Sequence, residues 1–235
     1  MSFYNFKSKF VEKANVTMRD FLGLLRDILV IWIIVFVIRT FFILPFQING
    51  QSMYASYYDG EFIIVDRFTY RFVNSPSRWD VIVFRPHVSE DKEYFLKRVI
   101  WLPWDKFKIE NWKVYIFSKT KNEYVELNEP YLSDSNRNAT YVSWDKNSYV
   151  YEVPADSYFV MWDNRNHSTD SRACFSSCYI ENTTNYVKVN DIIWKIFIDL
   201  GYFRISKFDF VHPTLWIDTK PKWFSTTSTY DYNLE

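Results

Sequence analysis

The sequence has little glycine, little cysteine and no net charge. Its 235 residues include 4 glycines, 2 cysteines and 3 histidines, and 28 basic side chains balance 28 acidic ones. Because there is no excess of positive charge, the sequence does not predict a protein that binds nucleic acid. Cys174 and Cys178 are too few for a disulfide framework, and with three scattered histidines they do not complete a zinc site. We therefore expect no metal and no cofactor, while a single disulfide and two free thiols both remain open.

Aromatic residues are abundant and predict a mainly β fold. They make up 21% of the chain and lie in short runs with valine and isoleucine, a composition that favours strands. Alternating or continuous apolar runs predict strands at residues 62–65, 81–84, 95–100, 114–117, 158–161 and 192–198. We expect an antiparallel, barrel-like domain over residues 45–215, with a small inserted β lobe at about residues 106–152 and a C-terminal tail at residues 216–235.

One apolar segment near the N-terminus is long enough to cross a membrane. Residues 28–38 are apolar without interruption, and the segment covers residues 21–44 if Arg26, Asp27 and Arg39 lie near its ends. About 20 residues are needed to span a bilayer. A buried core helix or a cleaved export signal would fit the shorter run equally well. No small-residue cleavage site follows, and Arg39 with its aromatic neighbours suits a membrane interface, so we expect an uncleaved transmembrane helix.

The charges before this segment predict its orientation. Lysine and arginine outnumber acidic residues in residues 1–20, and such segments stay on the cytoplasmic side of a membrane. We therefore expect a single-pass protein of the cell (plasma) membrane, with a cytoplasmic N-terminal segment and an extracytoplasmic domain.

Ser52 and Lys97 are candidates for a nucleophile and its base. Ser52 lies in a loop after the predicted membrane exit, and neither His87 nor His212 has a motif that would make it the base of a Ser-His-Asp arrangement. Lys97 lies in an apolar predicted strand, where burial lowers the pKa of an ammonium group toward neutrality. The free amine can then accept the proton of a serine. The alternative is a lysine that reaches solvent from an edge strand.

Four blocks, in order along the chain, resemble the bacterial type I signal peptidases. They are Gly50-Gln51-Ser52-Met53, residues 80–84, Lys97-Arg98-Val99-Ile100 with Leu102, Pro103 and Asp105, and Asp163-Asn164-Arg165 with Ser168, Asp170, Ser171 and Arg172. With the apolar segment they cover roughly residues 20–200. The resemblance implies a membrane-anchored serine endopeptidase that removes N-terminal signal peptides from exported preproteins through an acyl-enzyme.

The resemblance also implies roles for individual residues. Ser52 would attack the scissile carbonyl, Lys97 would accept its proton, and Ser168 would hydrogen-bond Lys97. Asp170 and Arg172 would form a supporting ion pair.

Two further supporting roles follow from the same resemblance. Asp163 is expected among the supporting residues. The oxyanion would be met by the Ser52 N–H and by a second donor near Gly50, whose identity stays open.

The substrate implied by the resemblance is a preprotein whose signal peptide ends in small residues one and three positions before the cut. Shallow apolar pockets would select these residues. We expect the pockets to be lined by Met53, Tyr57, Phe95 and Leu96, and the lipid bilayer to be the second partner.

Tryptophan stands at six positions where the resembling family has glycine. They are Trp79, Trp101, Trp104, Trp112, Trp162 and Trp194. Such turn or close-packed positions use the missing Cβ of glycine, and Asn-Gly in place of Asn111-Trp112 would form a hairpin turn. We hypothesise that the source organism reads one stop codon as glycine and that the codon was translated as tryptophan. A real indole at position 162 would crowd the expected catalytic pair.

Two other functions remain open. The first is a membrane-anchored scaffold or binding protein of the same fold that has lost activity. The second is a soluble, self-cleaving repressor with a Ser-Lys pair, which should carry an N-terminal DNA-binding helix pair where this chain has an apolar segment. Which preproteins would be cleaved is not determined by the sequence.

Overall fold

The chain forms two compact units that divide between Ile43 and Leu44. The computed structural model describes residues 2–86, 94–141, 149–166, 169–176, 184–202, 209 and 222–223, with side chains from residue 17 onward except at residues 71, 149, 222 and 223.

The first unit is one long helix. Helix α1 (Ser2–Val37) continues into a π-helical turn at Ile38–Phe42. The segment Thr17–Phe42 has 26 residues and a mean hydropathy of 2.6, and is long and apolar enough to cross a membrane. Its apolar side chains are exposed, with Ile31 61% and Trp32 63% accessible. Because apolar side chains lie on all sides of residues 28–38, lipid suits this part of the helix better than water.

The apolar segment is displaced toward the N-terminus relative to the predicted residues 21–44. Its C-terminal limit is Phe42, because Ile43 and Leu44 already adopt extended backbone and begin the first strand. That strand was not predicted from the sequence.

The remaining described elements are mainly strands. They are β1 (Ile43–Gln47), β2 (Phe62–Asp66), α2 (Thr69–Phe72), β3 (Val81–Phe84), β4 (Phe95–Trp101), β5 (Lys106–Glu110), β6 (Lys113–Ser118), β7 (Glu123–Glu126), β8 (Tyr149–Glu152), β9 (Ser157–Met161), β10 (Val187–Lys188), β11 (Ile192–Gly201) and β12 (Lys222–Trp223). Short 3-10 turns lie at Ser171–Ser176 and Val189–Asp191.

The strands form two sheets. The larger sheet has the order β1-β2-β11-β3-β4-β9-β10, with β12 added to β11, and the smaller sheet has the order β7-β6-β5-β8. The pairings of β3, β4, β9 and β11 with their neighbours are antiparallel. The prediction of a mainly β, antiparallel fold after an apolar helix is confirmed. The smaller sheet consists of residues within 106–152, where we expected the inserted lobe.

Strand β4 is an interior strand, and this decides the environment of Lys97. It pairs with β3 on one edge and β9 on the other, and Lys97 stands opposite Ile82 of β3. The alternative of a lysine on an edge strand is therefore wrong.

Strand β3 is buried on both faces and joins two parts of the core. Val81 and Val83 pack in one apolar cluster, whereas Ile82 and Phe84 pack in another. The sequence of β3 is apolar without alternation because neither face meets water.

The C-terminal tail differs in part from the expectation. Residues 222–223 add a short strand to β11, with Trp223 opposite Ile198. The rest of residues 216–235 lies outside the described residues.

The burial of Ile82 predicts a measurable loss of stability on truncation. Ile82 is 0% exposed, so Ile82→Ala should lower the free energy of unfolding by about 2–5 kcal/mol. Val150, which is 62% exposed on β8, is the control, and Val150→Ala should change it by less than about 1 kcal/mol. Urea unfolding of the full chain in detergent measures both. Equal effects would contradict the assigned core.

Candidate active site

Ser52 lies in the turn that follows β1 and is held by the loop after β9. The Ser52 carbonyl accepts a hydrogen bond from the Asn164 N–H at 3.0 Å, and the Asn164 amide group donates to the Gln51 carbonyl at 3.1 Å. On the other side, the Gly50 N–H donates to the Asp59 carboxylate at 2.6 Å. Gly50 has a φ of +95°, which glycine adopts without strain. The backbone of Ser52 is therefore fixed on both sides.

Lys97 is buried in the middle of the larger sheet. It is 3% exposed, its Nζ donates to the Leu96 carbonyl at 2.8 Å, and it forms no ion pair with the residues that the structure describes. Burial lowers the pKa of the ammonium group to about 7, although the carboxylates of Asp170 and Asp163 act in the opposite direction. Lys97 can therefore be an uncharged amine near neutral pH.

The two side chains line one cleft of about 610 Å³. Phe95 and Leu96, which we expected in the substrate pockets, lie on its wall together with Phe46, Ile48, Ile63 and Val83. Within the described part of the chain, no hydrogen bond joins the Ser52 hydroxyl to Lys97. The Lys97 amine is instead directed at the Leu96 carbonyl.

Met53 and Tyr57 are not placed as we expected. They are 1% and 3% exposed and belong to the apolar core that contains Ile63. The cleft wall does not include either of them. The turn after Ser52 folds inward, because two large apolar side chains gain more from burial than from lining a solvent-filled groove.

Asp163 forms a buried ion pair with Arg98 that sequence reasoning missed. Arg98 Nε lies 2.9 Å from Oδ1 of Asp163, and Nη2 lies 2.6 Å from Oδ2. Both side chains are almost fully buried, and Arg98 also lies 4.0 Å from the ring centre of Tyr131. Burial alone would lower the pKa of Arg98, but Asp163 more than offsets this and raises it. A single sequence offers no signal for a pair of residues so far apart along the chain.

Asp170 and Arg172 form a second buried ion pair, at 2.9 Å. Asp170 also accepts the N–H of Trp162 at 3.1 Å, so it holds the segment beside Lys97. Burial raises the pKa of Asp170, but Arg172 outweighs this and the pKa is lowered. Ser168, expected to hydrogen-bond Lys97, lies outside the described residues.

Arg165 extends this loop toward the polar segment after β7. It is 0% exposed and pairs with Glu129 at 2.5 Å. Cys174, close by in sequence, is disulfide-bonded. The other cysteine of the chain, Cys178, lies outside the described residues.

The cleft contains a hydroxyl group and an amine of lowered pKa, which are groups that a hydrolase can use to activate a nucleophile without imidazole. The model of the family described as signal peptidase, peptidase S26, matches residues 21–198. The match includes most of the apolar helix segment, Ser52, Lys97 and the loop after β9.

Several bacterial signal peptidases are similar to this chain. Signal peptidase I P of Bacillus subtilis subsp. natto is 34% identical over 162 residues, which cover 68% of this chain and 80% of that protein. Signal peptidase I U of Bacillus subtilis is 36% identical over 147 residues, 62% of this chain and 74% of that protein. Signal peptidase IB of Staphylococcus aureus is 30% identical over 159 residues, 66% of this chain and 81% of that protein.

A crystal structure of a signal peptidase I from Enterococcus faecalis V583 also matches. It is 28% identical, covers 52% of this chain and 97% of that chain, and has a TM-score of 0.36. On the family match and the sequence relatives, the chain belongs to the signal peptidase family, peptidase S26. It is a serine endopeptidase of the signal peptidase I type.

The ion pair between Arg98 and Asp163 predicts a large effect on stability. Asp163→Ala leaves a guanidinium buried without its carboxylate, so the free energy of unfolding should fall by about 3–5 kcal/mol. Asp134, whose side chain is 98% exposed, is the control, and Asp134→Ala should cost less than about 1 kcal/mol. Chemical denaturation of the full chain measures both variants.

The double variant Arg98→Met with Asp163→Leu tests the reason for the loss. Because apolar side chains can replace a buried ion pair with little cost, it should recover much of the stability lost in Asp163→Ala. A double variant less stable than Asp163→Ala would contradict this explanation.

Proposed function

We propose that this signal peptidase cleaves preproteins with Ser52 as nucleophile and Lys97 as general base. The observation that carries the proposal is that Lys97, buried with a pKa lowered to about 7, lines the same cleft as Ser52. The sequence resemblance assigns the same two residues.

The reaction has two proton-transfer stages. Ser52 Oγ attacks the scissile carbonyl carbon while its proton passes to Lys97 Nζ, and the proton is then delivered to the leaving amine as the peptide bond breaks. The resulting ester on Ser52 is the acyl-enzyme. Lys97 next takes one proton from water, whose oxygen attacks the ester, and returns that proton to Ser52 as the carboxylic acid product leaves; the acid then ionises in solution.

The amine must change partner for this reaction. In the free enzyme it donates to the Leu96 carbonyl, and catalytic hydrogen bonds commonly tighten only when substrate is bound. A rotation of the flexible lysine side chain within the cleft would direct Nζ at Ser52. The supporting roles of Ser168, Asp170 and Arg172 remain part of the proposal.

The oxyanion would be stabilised by the Ser52 N–H, which donates no hydrogen bond within the described part of the chain. The Gly50 N–H already donates to Asp59. A second donor near Ser52 therefore has to be a group other than this amide.

The apolar cleft wall supports a preference for uncharged residues before the cut, and the family resemblance implies that they are small. Ile48, Ile63 and Val83 supply apolar surface beside Ser52, and no charged side chain other than Lys97 lines this cleft among the described residues. Binding there would bury apolar substrate side chains.

The apolar helix supports membrane anchoring. The segment Thr17–Phe42 would span the bilayer, with a cytoplasmic N-terminus and the β domain outside the plasma membrane. Substrate would then be cleaved on the extracytoplasmic side, where exported chains emerge.

Removal of either proposed catalytic group should abolish processing. Lys97→Met should lower kcat/KM by about 10²–10⁴, the usual contribution of a general base, and Ser52→Ala should cost at least as much because no acyl-enzyme forms. The controls are the variants Lys188→Met and Ser135→Ala, because both residues are exposed and should not affect the rate. Cleavage of a purified preprotein in detergent, with N-terminal sequencing of the product, measures each rate. Unchanged cleavage by Ser52→Ala would instead favour an inactive scaffold with a contaminating protease.

The lowered pKa of Lys97 predicts the pH dependence of activity. The uncharged amine is the active form, so kcat/KM should rise about tenfold per pH unit below a pKa of about 7 and level off above it. A profile that continues to rise to the ordinary lysine pKa of 10.5 would show a solvated amine.

The same shift predicts a pH dependence of stability. The folded-state pKa lies below the unfolded value, so between pH 7 and 10.5 the unfolded chain binds the extra proton and stability rises with pH. Below pH 7 Lys97 is protonated in both the folded and the unfolded state, so stability no longer changes with pH through this residue. Urea unfolding at several pH values should show this slope, and Lys97→Met should remove it while Lys188→Met keeps it.

A further inference from the structure

Three tryptophans have a backbone conformation that suits glycine. Trp79, Trp104 and Trp112 have φ values of 72°, 69° and 66°. A positive φ is uncommon for any residue with a Cβ and is an outlier for a bulky side chain. Each of the three stands in a tight turn.

The turn between β5 and β6 is a two-residue hairpin. Glu110 pairs with Lys113, which leaves Asn111 and Trp112 as the central residues, and both have positive φ. This hairpin type selects Asn-Gly, because only glycine adopts the second position freely. Trp112 is 58% exposed, so its ring gains little packing in return.

The turns at Leu102 and Ser77 follow the same rule. The Asp105 N–H donates to the Leu102 carbonyl at 3.1 Å, with Pro103 second and Trp104 third in the turn. Proline followed by a residue of positive φ is the pattern of a type II turn, whose third position requires glycine or asparagine. The turn from Ser77 to Asp80 likewise places Trp79 third.

Two other tryptophans have indoles that do not fit their surroundings. The buried indole N–H groups of Trp101 and Trp162 find no acceptor among the described residues, whereas buried indoles normally do. The ring centre of Trp101 lies only 3.9 Å from that of Phe107, closer than the usual 4.5–7 Å.

Trp162 lies against the proposed base. Lys97 Nζ is 4.3 Å from the centre of the indole ring, and both side chains line the cleft. An aromatic face stabilises the charged ammonium, which opposes the uncharged form that a base requires. The indole also occupies cleft volume beside the amine.

Trp194 provides a comparison within the same chain. It is not among the residues with positive φ, and its ring packs against Phe46 at 4.8 Å and Tyr94 at 5.0 Å. Its structure therefore gives no support for glycine at position 194, in contrast to the sequence hypothesis.

We propose that positions 79, 101, 104, 112 and 162 are occupied by glycine in the natural enzyme, and that residue 162 controls whether Lys97 can reach Ser52. The first part rests on backbone and packing alone, and the second part rests also on the proposed function. A stop codon read as glycine would account for all five positions at once.

Mass spectrometry of the protein from its own cells tests the residue identities. The tryptic peptide of residues 99–106 covers positions 101 and 104, and the peptide of residues 147–165 covers position 162. We expect the mass of each peptide to be lower than the mass calculated from this sequence, by the difference between tryptophan and glycine at every such position. Tryptophan at these positions would overturn the proposal.

Single replacements of tryptophan by glycine in this chain test whether the turns with positive φ favour glycine. Trp104→Gly and Trp112→Gly should each raise Tm by about 2–4 °C, because glycine adopts a positive φ without strain and both indoles are exposed. Trp194→Gly should lower it, because that indole is packed. If all three variants lower Tm alike, the turns do not favour glycine.

Precursor cleavage tests the role of residue 162. Trp162→Gly should raise kcat/KM at least tenfold, and added Ser52→Ala should abolish the gain, while Trp162→Phe keeps an aromatic wall and should stay near the starting rate. This role is overturned if the Trp162→Gly variant folds but cleaves no faster than the chain with Trp162, whose own cleavage depends on Ser52. If no variant cleaves, the proposed function fails, and the masses and melting temperatures still decide the identity of the residues.

Discussion

The bidentate ion pair between Arg98 and Asp163 is the constraint on which the site depends. It fixes the loop after β9 to β4, the strand that carries Lys97, at 2.6 and 2.9 Å. The next residue of that loop, Asn164, donates both its backbone and side-chain N–H groups to the turn of Ser52. One buried pair thus links the strand of the proposed base to the turn of the proposed nucleophile. Because neither charge meets water, loss of one partner would release the loop as well as leave the other charge unpaired.

Lys97 and Arg98 show two ways in which a fold can bury adjacent cations. The two side chains point to opposite faces of β4, since successive residues of a strand alternate. Arg98 meets a carboxylate and stays charged, whereas Lys97 is in an apolar cleft and its pKa is lowered by desolvation. A guanidinium could not take the place of Lys97, because it does not deprotonate in proteins. The order of these two residues therefore decides which face of the sheet can carry out proton transfer.

The sequence predicted the central strands because their apolar runs are uninterrupted, as in β3, or lie on both sides of a buried cation, as in β4. It did not predict β1, since Ile43–Gln47 contains a proline and continues the apolar helix without a break in composition. The inward turn of Met53 and Tyr57 was also missed, because composition does not tell which side of a short turn faces the core. The partner of Asp163 could not be found from one sequence, as spacing along the chain carries no information on so distant a contact.

The residues with positive φ fall into groups with different physical meaning. Asn111, Asn122, Asn138 and Asp156 are of the types that tolerate the left-handed region, because their short polar side chains bond locally. Trp79, Trp104 and Trp112 do not carry a short polar side chain, and strain of this kind costs of order 1–3 kcal/mol for each residue. Natural stabilities are about 5–15 kcal/mol, so three strained turns would consume a large share of that margin. Strain is tolerated where it serves a site, yet the turns at Trp104 and Trp112 lie outside the cleft wall. The turns themselves are ordinary, and what is unusual is only the side chain placed on them.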